Sequence, residues 1–198
     1  ATAHPIATQI AIDTLKQGGT AVDTAIAANA ALGLLEPTGN GIGGDLFALI
    51  WDPKTQKLYG INGSGRAPMG MSLADRAARE AKIKTRVPGS RPSFGSVTVT
   101  VPGTVDAWFS MHSRFGKLPM AKVLAPTIAY AEAGTPVPPV IAYYMANNLK
   151  RLDERAKAGE VEEFDNARKT YFANGPVKAG EVFKNPDLAK TLSLIARG

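Results

Sequence analysis

Glu36-Pro37-Thr38-Gly39-Asn40-Gly41-Ile42-Gly43-Gly44-Asp45 places four glycines within six residues. Glycine reaches positive φ and lets other backbone approach closely, so such density predicts a tightly folded connection. Gly39, Gly41 and Gly44 fit the spacing G-x-G-x-x-G. That pattern grips a pyrophosphate where a strand enters the turn and a helix leaves it. Here an apolar helical run comes first and a strand-length apolar run follows. The reversed order argues against dinucleotide binding, which stays a minor alternative that thermal protection by NAD would test.

Upstream, Pro5 suits a first helical position and Gly18-Gly19 a helix stop. Thr20 is an N-cap residue, and Asp23 three positions later is a short version of the capping-box partner. The helix from Ala21 to Leu35 is apolar nearly all round and rich in small residues, which predicts burial on several sides. Pro37 ends it. Downstream, residues 46–51 form a continuous apolar run, Asp52-Pro53-Lys54-Thr55 is a turn, and residues 57–61 return as a second strand, which together predict a hairpin. Residues 67–92 read as loop and short helix, broken by prolines at 68, 88 and 92. Ser96-Val97-Thr98-Val99-Thr100-Val101 alternates strictly and is expected to be a strand. Helices are expected after Pro102-Gly103, around Val123 to Ala131 with a bend or restart at Pro126, from Ile141 to Leu152, and from Pro186 onward. No repeat or linker interrupts the chain, and 1–198 is read as one domain. The order ααββ…βααα indicates a mixed α/β architecture with helices on a sheet.

With 44% hydrophobic and 20% charged residues, the composition is that of an ordinary globular chain. The net charge of +6 is dispersed, and the densest basic group, Lys82, Lys84, Arg86 and Arg91, has no aromatic residues interleaved for base stacking. Nucleic acid is therefore not an expected partner. No apolar run approaches the ~20 residues that span a bilayer, so no membrane partner is expected. The N-terminus lacks the regions of a signal peptide. The absence of cysteine excludes disulfides, thiolate metal sites and a cysteine nucleophile.

No self-contained catalytic set is legible. His4 precedes a helix-starting proline and His112 lies on an apolar helix side, and neither has ligand-spaced companions. Ser64 lies in Gly63-Ser64-Gly65, which lacks the spacing of a nucleophile elbow. Asp13, Asp23 and Asp45 are widely separated. Trp51, Trp108 and the tyrosines are expected in the core. No metal and no cofactor is called for.

The ordered fragments resemble the front of the large subunit in the γ-glutamyltranspeptidase family. They are His4-Pro5-x-Ala7, residues 18–27 (Gly-Gly-Thr-Ala-Val-Asp-Thr-Ala-Ile-Ala), Glu36-Pro37, Gly41-Ile42-Gly43-Gly44-Asp45, Arg66-Ala67-Pro68, Val101-Pro102-Gly103-Thr104-Val105, Ala125-Pro126 and Ala131-Glu132-x-Gly134-x-Pro136-Val137. Each is weak alone, whereas the ordered set is specific. The resemblance implies a four-layer αββα N-terminal-nucleophile hydrolase whose precursor cleaves itself. It also implies a small subunit beginning with a threonine nucleophile, whose α-amino group is the general base, and it leaves open a dimer of heterodimers. No such threonine is recognised here, so no catalytic residue is assigned to this chain.

One departure bears on substrate. The family's γ-glutamyl transferases are expected to carry a carboxylate-gripping arginine four residues before the proline of the Ala-Pro pair. Ser64 holds that position here, and Arg66 follows two residues later. A serine cannot reproduce the bidentate fork of a guanidinium. The segment Gly-Ser-Gly-Arg-Ala-Pro is similar to that of the family's amidohydrolases, which include oxamate amidohydrolase. Arg66 is therefore expected to bind a substrate carboxylate, with Ser64 and Asn62 shaping the pocket and the 41–44 turn behind it. The expected substrate is a small carboxylate-bearing amide and the expected compartment the cytoplasm, with the periplasm or secretion as the alternative. Glutathione hydrolysis or γ-glutamyl transfer, and a non-catalytic binding or assembly module, are the competing functions.

Overall fold

His4 and Pro5 start the first helix, α1 (Pro5–Lys16), as a cap and a first-turn proline: His4 Nδ1 accepts the Ile6 N–H at 3.2 Å. Thr20 and Asp23 form the expected reciprocal capping box at the head of α2 (Ala21–Leu35). The computed structural model describes residues 1–83 and 93–198. These fall into two compact units, one of Ala1–Gly65, Pro102–Pro136 and Glu181–Gly198, the other of Arg66–Val101 and Val137–Gly180. Lys84, Arg86, Arg91 and the prolines at 88 and 92 lie outside the described residues.

In the first unit, α2 is the central helix. Its Ile26, Ala27, Ala30 and Ala31 pack with Trp108 of α4 (Thr104–Phe115), Val123 and Leu124 of α5 (Met120–Ala133) and Leu192 of α8 (Pro186–Ile195). The small side chains of α2 let its neighbours come close, which is why a helix with no polar face is stable there. α5 runs continuously through Pro126 rather than restarting. The predicted hairpin is present: β1 (Leu46–Asp52) pairs antiparallel with β2 (Lys57–Gly63), with Leu46 opposite Gly63 and Asp52 opposite Lys57. A second short pair joins β3 (Thr135–Pro136) to β4 (Val182–Phe183).

Strand alternation gives the hairpin two unlike faces. Leu46, Ala48, Ile50 and Ile61 point inward and pack against the helical core. The outer face carries the opposed pairs Phe47–Asn62, Leu49–Gly60 and Trp51–Leu58. Phe47 is 65% exposed, Leu49 78% and Trp51 55%. Trp108 is buried as expected, but Trp51, Tyr143 and Tyr144 are exposed, which corrects their assignment to the core.

The second unit contains α3 (Leu73–Glu80), α6 (Pro139–Lys157) and α7 (Phe164–Tyr171). Residues 96–101 are not the expected strand. Ser96–Thr98 is a 3₁₀ turn entered from Gly95 at φ 86°. The Ser96 N–H donates to Glu162 Oε2 at 2.9 Å and the Ser96 hydroxyl to Glu162 Oε1 at 3.1 Å. Alternation alone does not make a strand when no neighbouring strand takes up its backbone groups.

Candidate functional site

β2 delivers the predicted residues. Asn62 stands on its outer face opposite Phe47, and its Oδ1 accepts the Ser64 N–H at 3.0 Å. That bond turns the chain as it leaves the strand. Gly65 continues the turn at φ 76°. Ser64 is partly buried and Asn62 exposed. Arg66 opens the second unit, with an exposed side chain. Its carbonyl accepts the Val101 N–H at 2.9 Å. Among the described residues no carboxylate is paired with its guanidinium, so the cation is presented to solvent. Asn62 and Ser64 are thus brought into one turn of the first unit, whereas Arg66 belongs to the second.

The base of this turn is held by backbone packing that the sequence did not reveal. A Cβ at Gly63 would lie 2.6 Å from Ala107 Cβ, and one at Gly103 would lie 2.7 Å from Gly65 N and collide with Gly63 O. Only glycine at both positions lets the start of α4 lie against the end of β2. The Gly44 carbonyl accepts from the Gly103 N–H and Thr104 N–H, both at 3.1 Å, and from the Thr104 hydroxyl at 2.8 Å. Thr104 is fully buried and ties the glycine-rich turn to the same helix start. Its signal was its place directly after Pro102-Gly103, a helix-opening position for a hydroxyl.

Neither histidine is arranged for catalysis. His4 is 5% exposed and caps α1. Burial holds its imidazole below the ordinary value, with the Glu36 carboxylate pulling the other way. His112 Nε2 lies 2.7 Å from the Leu118 carbonyl and 3.5 Å from Asp23 Oδ1. Both neighbours accept, so Nε2 donates. Asp23 also accepts from the Thr20 N–H and hydroxyl and from the N–H groups of Lys117 and Leu118. The pair has the outline of a carboxylate–histidine dyad, but its carboxylate is saturated by structural donors. Among the described residues no group of three or more His, Asp or Glu side chains is placed to hold a metal ion.

A helical layer under one face of a hairpin whose opposite face is apolar and uncovered among the described residues defines part of a layered α+β fold. The family model for γ-glutamyltranspeptidase matches residues 7–198, and the chain belongs to that family. It is 34% identical to the glutathione hydrolase proenzyme of Bacillus subtilis, over 98% of this chain and 31% of the relative. It is 32% identical to the oxamate amidohydrolase proenzyme of Klebsiella pneumoniae, over 98% of this chain and 34% of that protein. Among solved structures, the cephalosporin acylase from Bacillus halodurans superposes with a TM-score of 0.84 at 41% identity, covering 98% of this chain and 34% of that one. The chain therefore spans about a third of the length of the curated relatives it matches.

Proposed function

We propose that this chain is the N-terminal portion of the large subunit of an autoprocessed threonine amidohydrolase that acts on a small, carboxylate-bearing amide such as oxamate. The observation that carries the proposal is the turn after β2, where Ser64 replaces the expected carboxylate-gripping arginine and Arg66 is exposed. A guanidinium free of carboxylate partners among the described residues is available to a substrate carboxylate, and its planar donors fix that group's orientation. The proposed nucleophile is the N-terminal threonine of a companion small subunit. Its hydroxyl attacks the amide carbon while its α-amino group takes the proton. The amine leaves with that proton, and water resolves the acyl-enzyme.

The apolar outer face of the hairpin supports the companion subunit. Phe47, Leu49, Trp51 and Leu58 make an uncovered sheet face of the kind that packs on a second sheet. The B. subtilis relative's name favours a second reading, glutathione hydrolysis. Steady-state assay of the complete two-chain protein on oxamate and on a γ-glutamyl anilide separates the two. Higher kcat/KM on oxamate is expected, and higher kcat/KM on the anilide defeats the substrate assignment. Arg66→Ala is expected to lower kcat/KM on oxamate about 10- to 100-fold, the worth of a charge-assisted hydrogen bond. An unchanged value removes Arg66 from the site.

A further inference from the structure

The second unit holds a cavity of about 410 Å³ that neither Arg66 nor the turn after β2 lines. Arg79 of α3 and Lys82 just beyond that helix supply one part of its wall. Phe94 and Ser96 supply another at the 3₁₀ turn, and Glu160 and Glu162 a third from the loop after α6. These parts are fixed to one another. Ser96 donates to both oxygens of Glu162, and the Ser96 hydroxyl accepts from Arg79 Nη1 at 3.2 Å. A Cβ at Gly95 would collide with the Glu160 carbonyl, so the turn and the loop touch backbone to backbone. The Arg151 and Arg155 guanidiniums lie 4.7 and 5.2 Å from the Phe94 ring centroid and hold the ring in place. The cavity is therefore formed in advance of any ligand, and its size is that of a small-molecule site.

The charges that remain unspent decide what it can take. Glu160 is buried, and its two oxygens accept from Arg155 Nη1 at 2.9 and 3.0 Å. Both Glu162 oxygens are engaged by Ser96. The cations are less occupied. Arg79 donates to one neutral hydroxyl, and Lys82 has no hydrogen bond or ion pair among the described residues. Arg79, Lys82 and Arg155 against Glu160 and Glu162 leave one positive charge in excess. Ile83, Phe94 and Val97 add apolar surface beside it.

We infer that this cavity binds a small monocarboxylate with an apolar body. Its carboxylate takes the free donors of Lys82 and Arg79, and its apolar part lies against Phe94, Ile83 and Val97. A compact phosphate monoester fits worse, because a dianion exceeds the single spare charge and the Glu162 carboxylate repels it. A neutral amide of the same shape lacks the charge that Lys82 would pair with. The inference does not rest on the proposed reaction. No lining residue is shared with the proposed substrate turn, so failure on oxamate leaves it intact.

The test titrates the complete mature protein with 3-(4-fluorophenyl)propanoate and follows binding by fluorine NMR. A Kd of about 1 mM or tighter is expected for a ligand of about a dozen non-hydrogen atoms. The corresponding neutral amide should bind at least about tenfold more weakly. Lys82 is exposed, so Lys82→Gln keeps the fold, and it should raise the Kd of the acid about five- to tenfold. Arg66→Ala should leave that Kd unchanged. Equal binding of acid and amide, or tighter binding of 4-fluorobenzyl phosphate, overturns the ligand class. A Kd that responds to Arg66→Ala and not to Lys82→Gln places the ligand elsewhere and overturns the site. Absence of binding up to about tenfold above the expected Kd shows a cavity closed in the complete protein and overturns it as well.

Discussion

Asp23→Ala is the most searching test of how this chain is held together. Asp23 is fully buried, and its two oxygens accept from the Thr20 N–H at 2.8 Å, the Lys117 N–H at 3.0 and 3.1 Å and the Leu118 N–H at 3.2 Å. Alanine leaves three backbone donors without an acceptor. Each costs roughly 1–3 kcal/mol when buried and unsatisfied. Partial hydration of the exposed end of the 117–118 turn lowers the sum, so a loss of about 3–5 kcal/mol is expected at this locus. That is a large share of the roughly 5–15 kcal/mol that holds a domain folded. The complete protein is unsuited to a single unfolding free energy, because multi-part proteins break two-state behaviour. Amide exchange at Lys117 and Leu118 is the sharper assay. The expected loss converts to at least about 100-fold faster exchange at those two amides. Asp23→Asn keeps one accepting oxygen and should fall between wild type and alanine. His112→Ala removes the bond to the Leu118 carbonyl and the longer contact with Asp23 Oδ1 and should cost about 1 kcal/mol. Protection at Lys117 and Leu118 within about tenfold of wild type in Asp23→Ala would show that the carboxylate does not anchor this turn.

Three further outcomes follow from the geometry. Gly103→Ala puts a methyl against Gly63 O and 2.7 Å from Gly65 N; a lower melting temperature and reduced activity of the complete protein are expected, and an unchanged melting temperature would show that the two backbones can move apart at little cost. Ser64→Arg should raise kcat/KM on a γ-glutamyl anilide relative to oxamate by about tenfold or more, and an unchanged ratio rejects Ser64 as a specificity determinant. The Glu162 carboxyl is held below its ordinary range chiefly because the Ser96 N–H donates to it, with the Ser96 hydroxyl helping and burial opposing. Its folded value lies below the unfolded one, so its stabilisation is present above the ordinary carboxylate range and is lost as pH falls through the folded value. The protection of the Ser96 amide, taken relative to its intrinsic exchange rate at each pH, should therefore fall on acidification in wild type and lose that dependence in Glu162→Gln.

Local signals were legible, and distant partners were not. Thr20 and Asp23 announce a helix start because a capping box needs only residues three apart. The Asp23 bonds to Lys117 and Leu118 join positions 94 and 95 residues apart, and no local pattern reports them. Ser96 to Val101 misleads for the same reason. Its alternation describes side chains, whereas its first backbone donor is taken by Glu162, 66 residues on. At the candidate site, the departure at Ser64 and the nearby Arg66 were readable in sequence. Clamping of the turn by Gly63 and Gly103 was not, because it is a contact between two backbones. Trp51 is the instructive correction. An apolar residue on a strand predicts a buried environment, and here the partner that would bury it is not among the described residues.

The hairpin carries this further. A strand apolar at every position from 46 to 50 is suited to burial on both faces. Only the inner face is buried by the helices, and Phe47, Leu49, Trp51 and Leu58 remain outside. Covering those four, which are already partly buried, is worth roughly 4–8 kcal/mol, comparable with the net stability of a whole domain. Under the proposed two-part enzyme, docking the companion then stabilises this chain as much as its own folding does, and the two processes are thermodynamically inseparable. Asn62 stands on that same face, opposite Phe47. In that reading the covering layer reaches the strand end where Ser64 and Arg66 follow, so the contact that stabilises the chain would also close the wall of the proposed substrate site. Weakening the interface with Leu49→Asp should consequently lower activity and stability together, whereas Arg66→Ala should lower activity alone.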